Sequence, residues 1–208
     1  MSLGKRKGSG NILPLLKFDA RSGSFYQENR VQTLNGWEKE QTDVTDRLRA
    51  VFDLANAERG WIKFPRGAAP EMVLVLAGED PGEAPDEGYR EGFRLLVKMD
   101  KTLGGQLREF MSTSLTAWNG ISALHDAYLA EVGQYPGQLP IVVLSDVIER
   151  RYLSATSFEP VFIITGWVPR PEEFGPVRGL TPKRPEPQTQ QQGIDDDMIP
   201  FLSSQTTQ

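Results

Sequence analysis

The stretch GFRLLVKMDKTLGGQLREFMS, residues 92–112, contains two apolar runs on either side of a glycine pair. Glycines adopt positive φ angles without steric cost, so the pair suits a tight turn between two strands. In the first run, period-two alternation places Arg94, Leu96 and Lys98 on one face. The stretch therefore predicts a β-hairpin that carries basic side chains on one face.

Similar apolar runs, separated by turn-forming residues, precede this hairpin. Residues 12–18 and 25–32 flank the sequence DARSGS and predict a first hairpin. Residues 51–54 and 61–64 flank ANAERG and predict a second one, followed by a strand at 72–77. Together these segments predict a β-meander.

One segment, residues 113–132, has helical periodicity. Its apolar residues recur at spacings of three and four, and they are Leu115, Trp118, Ile121, Ala123, Leu124, Ala127, Tyr128 and Val132. Gly133 and Pro136 predict the end of this helix. Two final strands are expected at 139–148 and 160–168, joined by the polar segment ERRYLSATS.

The order of a meander, one helix and a last hairpin predicts a mainly β fold. We expect an OB-like barrel with β-hairpin extensions, closed at its edges and plugged at one end by the one main α-helix. Other small β-barrels fit the same order. No strand is predicted in the polar stretch 35–45, and a flexible loop that carries Trp37 and closes over a bound strand is one alternative for it.

Three regions are predicted along the chain. Residues 1–10, which include KRKGSG, suit a flexible basic arm, and residues 11–170 form the OB-like domain. From residue 171 to residue 193, prolines, glutamines and charges alternate without apolar anchors. Such a composition cannot offset chain entropy, so residues 171–208 are predicted to be a disordered linker and an acidic tail.

The net charge of the whole chain is −5, which on its own argues against a nucleic-acid partner. Upstream of residue 171 the balance is 22 acids against 20 bases, because six acids and three bases lie further on. Six of the upstream acids belong to one Pro/Gly-rich loop, residues 79–91. Without the acids of this loop, the rest of the region upstream of residue 171 has more bases than acids. The sequence is therefore compatible with a basic groove there.

The sequence contains no pattern of catalytic residues. It has no cysteine and one histidine, so a thiolate zinc site, a disulfide and an imidazole cluster are excluded. No Walker, GxGxxG or GxSxG motif is present, and His125 is interpreted as structural. We expect a non-enzymatic protein without metal or cofactor. Because no apolar run is long enough to span a membrane, we also expect a cytoplasmic location.

The most specific local signal is an acidic run that leads into a Pro-Phe pair, DDDMIPF at residues 195–201. It resembles the DDDIPF docking tail of bacterial single-stranded DNA-binding proteins, although Met198 is inserted and further residues follow Phe201. In that family the tail recruits replication and repair proteins. The resemblance implies partner docking by Asp195, Asp196, Asp197, Ile199, Pro200 and Phe201.

The body carries a second, broader resemblance. The segments LKFDARSGSFY, FDLANAERGWIKF, GFRLLVKMD and EPVFIITGWVPRP look like those of phage-encoded single-stranded DNA-binding proteins. This resemblance implies sequence-independent binding and protection of single-stranded DNA during phage replication or recombination. It also makes a homo-oligomer conceivable, since bacterial members of the family assemble from small barrels.

Strand binding without sequence preference needs aromatic faces for base stacking and cations along the backbone. The three hairpins supply both, and the predicted contacts are Lys17, Arg21, Tyr26, Arg30, Trp61, Lys63, Arg94, Lys98 and Arg108. Alternation favours Trp61 and Lys63 outward, which turns Phe64 toward the core. Phe25 and Tyr26 lie on opposite faces, so one is expected in the core and the other in the groove.

Two other functions are open at this level. The first is a protein-interaction or virion protein whose tail mimics a host docking peptide. The second is a metal-dependent hydrolase or nuclease that uses Glu79, Asp80 and Glu83 of the acidic loop.

Overall fold

A computed structural model describes residues 13–34, 36–66, 68–152 and 155–178, all of which belong to one compact unit. The described chain forms ten strands and one α-helix, namely β1 (Leu15–Asp19), β2 (Ser24–Thr33), β3 (Gly36–Asp43), β4 (Arg49–Phe52), β5 (Glu58–Lys63), β6 (Glu71–Leu76), β7 (Arg90–Met99), β8 (Leu107–Ser112), α1 (Leu115–Glu131), β9 (Gln138–Tyr152) and β10 (Ala155–Pro169). The predicted mainly β fold with one main helix is confirmed.

The ten strands form one branched sheet. Its main path runs β10-β9-β4-β7-β8-β1-β2-β3, and the β5–β6 hairpin joins it where β5 pairs with β7. Neighbouring strands are antiparallel except for β1 and β8, which are parallel over the pairs Leu15↔Glu109 and Leu16↔Phe110. The N-terminal hairpin is thus attached to the rest of the sheet by a short parallel contact.

The strands β10-β9-β4-β7-β8 follow the order of an OB-type sheet, with α1 placed between β8 and β9. In such a barrel the last strand would lie beside β8, but here β1 takes that place. The N–H of Phe158 in β10 donates to the carbonyl of Ala20, just after β1, at 2.7 Å. Strand pairing among the described residues still ends at β3 and β10, so the sheet is open and the expected closure of its edges is not met.

The core lies between the inner face of the curled sheet and α1. Phe25 and Phe110 meet edge to face with ring centroids 5.8 Å apart, and Phe52 and Val97 are also fully buried. The helix begins after Ser114, whose hydroxyl caps it, and its buried face includes Ala117, Ile121, Leu124 and Tyr128. Leu115, Ala123 and Ala127 of the predicted stripe are exposed instead, because the first lies at the helix start and the others at the solvent edge.

Two segments differ from their sequence prediction. The polar stretch 35–45, where no strand was predicted, contains β3, which pairs with β2 along its whole length. The last two strands are 15 residues each and continue through the polar ERRY sequence, where they form a hairpin paired up to Tyr152 and Ala155. In both cases backbone pairing with a neighbouring strand stabilises a segment that has no apolar alternation.

The described fold also continues past the predicted domain end at residue 170. Phe174 is buried, and Arg170 forms two hydrogen bonds of 2.8 and 2.6 Å with the buried carboxylate of Asp53. The predicted basic arm, residues 1–10, and the predicted docking residues 195–201 lie outside the described residues.

Gly120 sets the close approach of α1 to β10, and we expect Gly120→Ala to lower the free energy of unfolding by about 0.5–2 kcal/mol. An added Cβ would lie 2.4 Å from the carbonyl oxygen of Pro160. The resulting overpacking outweighs the gain in helix propensity. Urea unfolding measures the change, with Gly133→Ala as the control because a Cβ there meets nothing within 4 Å. Equal losses at both positions would contradict this close packing.

Candidate functional site

A groove of about 1890 Å³ runs along β1. Its lining comes from β1 and the residues before it, the β2–β3 hairpin, β8, and the connection between β5 and β6. On β1, Leu16 is fully buried, so its neighbours Leu15 and Lys17 face the groove. Much of the lining is apolar, and it includes Leu13, Pro14, Leu15, Phe18, Val31, Phe64, Ala68, Ala69, Pro70, Met72 and Met111.

Three cations line this groove, and two of them share one carboxylate. Glu28 is only 4% exposed and is held by Lys17 Nζ at 2.6 Å and by Lys39 Nζ at 3.3 Å. Burial acts to raise the pKa of Glu28, but hydrogen bonds from Lys17 and Gln41 outweigh it and the pKa lies below its ordinary value. The third cation, Arg30, is exposed and has no partner among the described residues.

A second hollow, of about 360 Å³, extends the groove past the end of β1. It shares Lys17 and Phe18 with the first, and Arg21 and Tyr26 also line it. The Arg21 side chain is exposed and unpaired within the described part of the chain. The two hollows together follow β1 and the turn after it, from residue 13 to residue 21, and the extended part, residues 13–19, spans roughly 20 Å.

The structure therefore brings together four of the predicted contacts, Lys17, Arg21, Tyr26 and Arg30. All four come from the N-terminal hairpin. Tyr26 is half-buried at the groove and Phe25 is in the core. This agrees with the expectation that one of the two lies in the core and the other in the groove.

Phe64 is the aromatic residue that the β5–β6 hairpin adds to the groove. It lies just beyond the end of β5 and is 54% exposed. Period two places it on the same face as Ile62, and the pairs Ile62↔Arg90 and Leu96↔Glu109 put that face on the groove side of the sheet. Ile62 is buried there but does not belong to the main core. The prediction that Phe64 points into the core is wrong for this reason.

Trp61 and Lys63 occupy the opposite face of the same hairpin. The Trp61 indole donates to the carbonyl of Gly82 at 3.0 Å. Lys63 pairs with Asp86 at 2.9 Å and lies over the ring of Tyr89. The hydrogen bond to Asp86 raises the pKa of Lys63. Both predicted contacts hold the acidic loop rather than line the groove.

The three predicted cations of the β7–β8 hairpin also lie outside the groove lining. Arg94 is paired with Glu58 at 2.6 Å, and Lys98 with Glu173 at 2.5 Å. Both are on the outer face of β7, as predicted. The prediction that Arg108 contacts DNA in the groove is corrected, because its side chain is 1% exposed and lies in the core.

Among the lining residues, Glu109 on β8 has a carboxylate with a raised pKa. Burial is the main cause of its raised pKa. The positive charge of Arg94 acts to lower the pKa, and the negative charge of Glu58 adds a smaller increase. No side chain or backbone group of the described chain donates to the Glu109 carboxylate. Sequence reasoning missed Glu109, Lys39, Phe64, Met72 and Met111, although the alternation of β8 would have placed Glu109 and Met111 on one face.

The described residues contain no group of three or more His, Cys, Asp or Glu that could hold a metal ion. Glu79, Asp80 and Glu83 of the acidic loop are all exposed. His125 is half-buried on α1, and burial lowers its pKa. Within the described part of the chain, no helix is long and apolar enough to cross a membrane.

Comparison of the chain with protein-family models, with curated proteins and with solved structures found no match.

Proposed function

We propose that this protein binds single-stranded DNA along the β1 groove without catalysing a reaction on it. The observation that carries the proposal is the combination, in one elongated groove, of an exposed aromatic ring at Phe64 with two cations, Arg21 and Arg30, that have no partner among the described residues. Flat rings accept bases of any sequence, and cations at intervals follow the phosphates.

The size and openness of the groove support a strand rather than a duplex. A length of roughly 20 Å suits a few extended nucleotides, near the lower end of the range of about 4–16 nucleotides per OB-type domain. The β7–β8 region and the hairpins near it are also where OB-type sheets bind oligonucleotides. The acidic tail at 195–201 would recruit replication or repair proteins to the bound strand.

The electrostatic component of binding is expected to be modest. Lys17 and Lys39 are already paired with Glu28, so among the described lining residues Arg21 and Arg30 are the cations that are ready to contact phosphate. Each phosphate contact on a single strand contributes about 0.7 to the slope of log affinity against log salt. A shallow slope therefore follows from the geometry, in place of the steep one that a basic groove would give.

The test is fluorescence anisotropy of labelled oligo-dT and a matched duplex over a range of salt concentrations. We expect preferential strand binding, and we expect Arg21→Ala and Arg30→Ala each to weaken it and to reduce the salt slope by about 0.7. Lys101→Ala is the control, since Lys101 is exposed and does not line the groove.

Two results would contradict this proposal. Equal affinity for strand and duplex would remove the role of base stacking, and no binding to either would favour a protein partner for the groove. A loss in Lys101→Ala as large as that in Arg30→Ala would show that the bound strand follows another surface.

A further inference from the structure

Glu109 lies in the groove among apolar neighbours. It is paired across the sheet with Leu96 of β7 and with Leu15 of β1, and Met111 is the next residue on the same face of β8. Its backbone N–H donates to the carbonyl of Pro14 at 3.0 Å, but its carboxylate accepts no hydrogen bond from the described chain. Arg94, the nearest cation that influences it, is committed to Glu58.

Partial burial disfavours the charged form of the Glu109 carboxylate, while its oxygens remain accessible from the groove. The raised pKa of Glu109 has this cause. A ligand that brings N–H donors to the carboxylate would stabilise its charged form, whereas a phosphate there would be repelled. Glu109 therefore favours a base edge over a strand backbone at this point of the groove.

The four bases differ in the donors they can offer. Guanine presents N1–H and an N2 amino group side by side, which match the two oxygens of a carboxylate. Cytosine and adenine place a ring acceptor next to the amino group, and thymine offers one N–H between two carbonyl oxygens. Charge-assisted pairs with two parallel hydrogen bonds are the strongest and most selective of these arrangements.

We propose that Glu109 makes the groove selective for guanine, by accepting hydrogen bonds from its N1–H and N2 amino groups. This inference rests on the proposed function, since it assigns a preferred base within the strand site. The Phe64 ring and the Arg21 and Arg30 cations provide the sequence-tolerant part of the affinity, and Glu109 adds a preference to it. The guanine edge meets Glu109 while phosphates remain near the arginines.

Three strands of about 12 nucleotides test the preference: alternating thymine–guanine, alternating thymine–inosine, and thymine alone. Inosine keeps N1–H but lacks the N2 amino group, so it removes one of the two hydrogen bonds. We expect the guanine strand to bind about 5- to 150-fold more tightly than the thymine strand, which is the range for a bidentate base contact. The inosine strand should fall between them.

Glu109→Gln separates this contact from base stacking, since glutamine keeps the shape but replaces one acceptor with a donor. We expect the variant to lose the preference of guanine over inosine and to retain binding to thymine. The control is Glu79→Gln, which removes one charge from the exposed acidic loop and should leave the preference unchanged. Thermal unfolding checks that both variants fold.

Failure of this inference is distinct from failure of the proposed function. If the wild-type protein binds all three strands equally, the selectivity is refuted and strand binding stands. If Glu109→Gln strengthens binding to all three strands by the same factor, Glu109 acts only by repelling phosphates and the inference is overturned. If no strand binds at all, the proposed function itself fails.

Discussion

Arg108→Met is expected to lower the free energy of unfolding by about 2–4 kcal/mol, although Arg108 was predicted from the sequence to be a surface contact for DNA. The guanidinium lies in the core and bridges three strands. Its Nη1 donates to the carbonyl of Leu15, and its Nη2 donates to the side-chain oxygens of Gln27, Asn29 and Gln106 at 3.1, 2.8 and 3.1 Å.

The size of this effect follows from the hydrogen-bond acceptors that lose their donor when methionine replaces Arg108. Methionine has a similar length and no donor, so the amide oxygens of Gln27 and Asn29 lose a partner within a closed interior. Each buried acceptor without a partner costs about 1–3 kcal/mol. The gain from no longer burying a charge offsets part of the loss, since burial already lowers the pKa of Arg108.

Arg108 also attaches the groove wall to the sheet. The parallel contact between β1 and β8 consists of two residue pairs, and the guanidinium connects β8 with both β1 and β2 beside it. Loss of these bonds should therefore loosen the N-terminal hairpin, and strand affinity should fall together with stability.

Urea unfolding measures the change, and Arg94→Met is the matched control. Arg94 is an arginine on the neighbouring strand, and Glu58 keeps a second partner in Arg178, so its replacement should cost less than that of Arg108. A stable Arg108→Met protein that has lost strand affinity would instead place Arg108 in contact with the ligand and contradict its buried position.

Period-two alternation predicted the local hairpins and the outer face of β7 well. Arg94, Leu96 and Lys98 alternate with the buried Phe93, Leu95 and Val97, as a strand with one face in the core must. Such patterns depend only on neighbouring residues. They contain no information about which distant strand lies alongside.

The placement of Arg108 required that missing information. Alternation put Arg108 on the same face as Phe110, which is in the core, but an arginine is buried only where it finds acceptors. Apart from Gln106, those acceptors come from β1 and β2, 79 to 93 residues earlier. The parallel pairing of β1 with β8 is a long-range contact with no local signal.

The strand β3 was missed for a different reason. Its residues Glu38, Lys39, Glu40 and Gln41 are all exposed, so neither face has an apolar pattern to detect. Pairing with β2 forms the strand, and the register Arg30↔Lys39 brings Lys39 to the groove. A candidate cation of the site therefore lies in a segment where the sequence predicted no strand.

Phe64→Ala is expected to weaken binding of oligo-dT by about 1–3 kcal/mol, or roughly 5- to 150-fold, the range for removing one stacking platform. Stability should change little, because the Phe64 ring is 54% exposed and is not part of the main core. Phe64→Leu keeps an apolar side chain without a flat ring. It should lose much of the affinity as well, if stacking rather than apolar contact is responsible.

Two variants on the opposite face of the same hairpin make this test specific. Val73 is 43% exposed and pairs with Trp61 across β5 and β6, so Val73→Ala removes exposed apolar surface away from the groove. Trp61→Ala removes the aromatic residue that sequence alone favoured for stacking. We expect both to bind oligo-dT like the wild-type protein, because both lie on the face away from the groove. If Trp61→Ala loses affinity and Phe64→Ala retains it, the strand lies across the acidic-loop face, and the β1 groove is not its binding site.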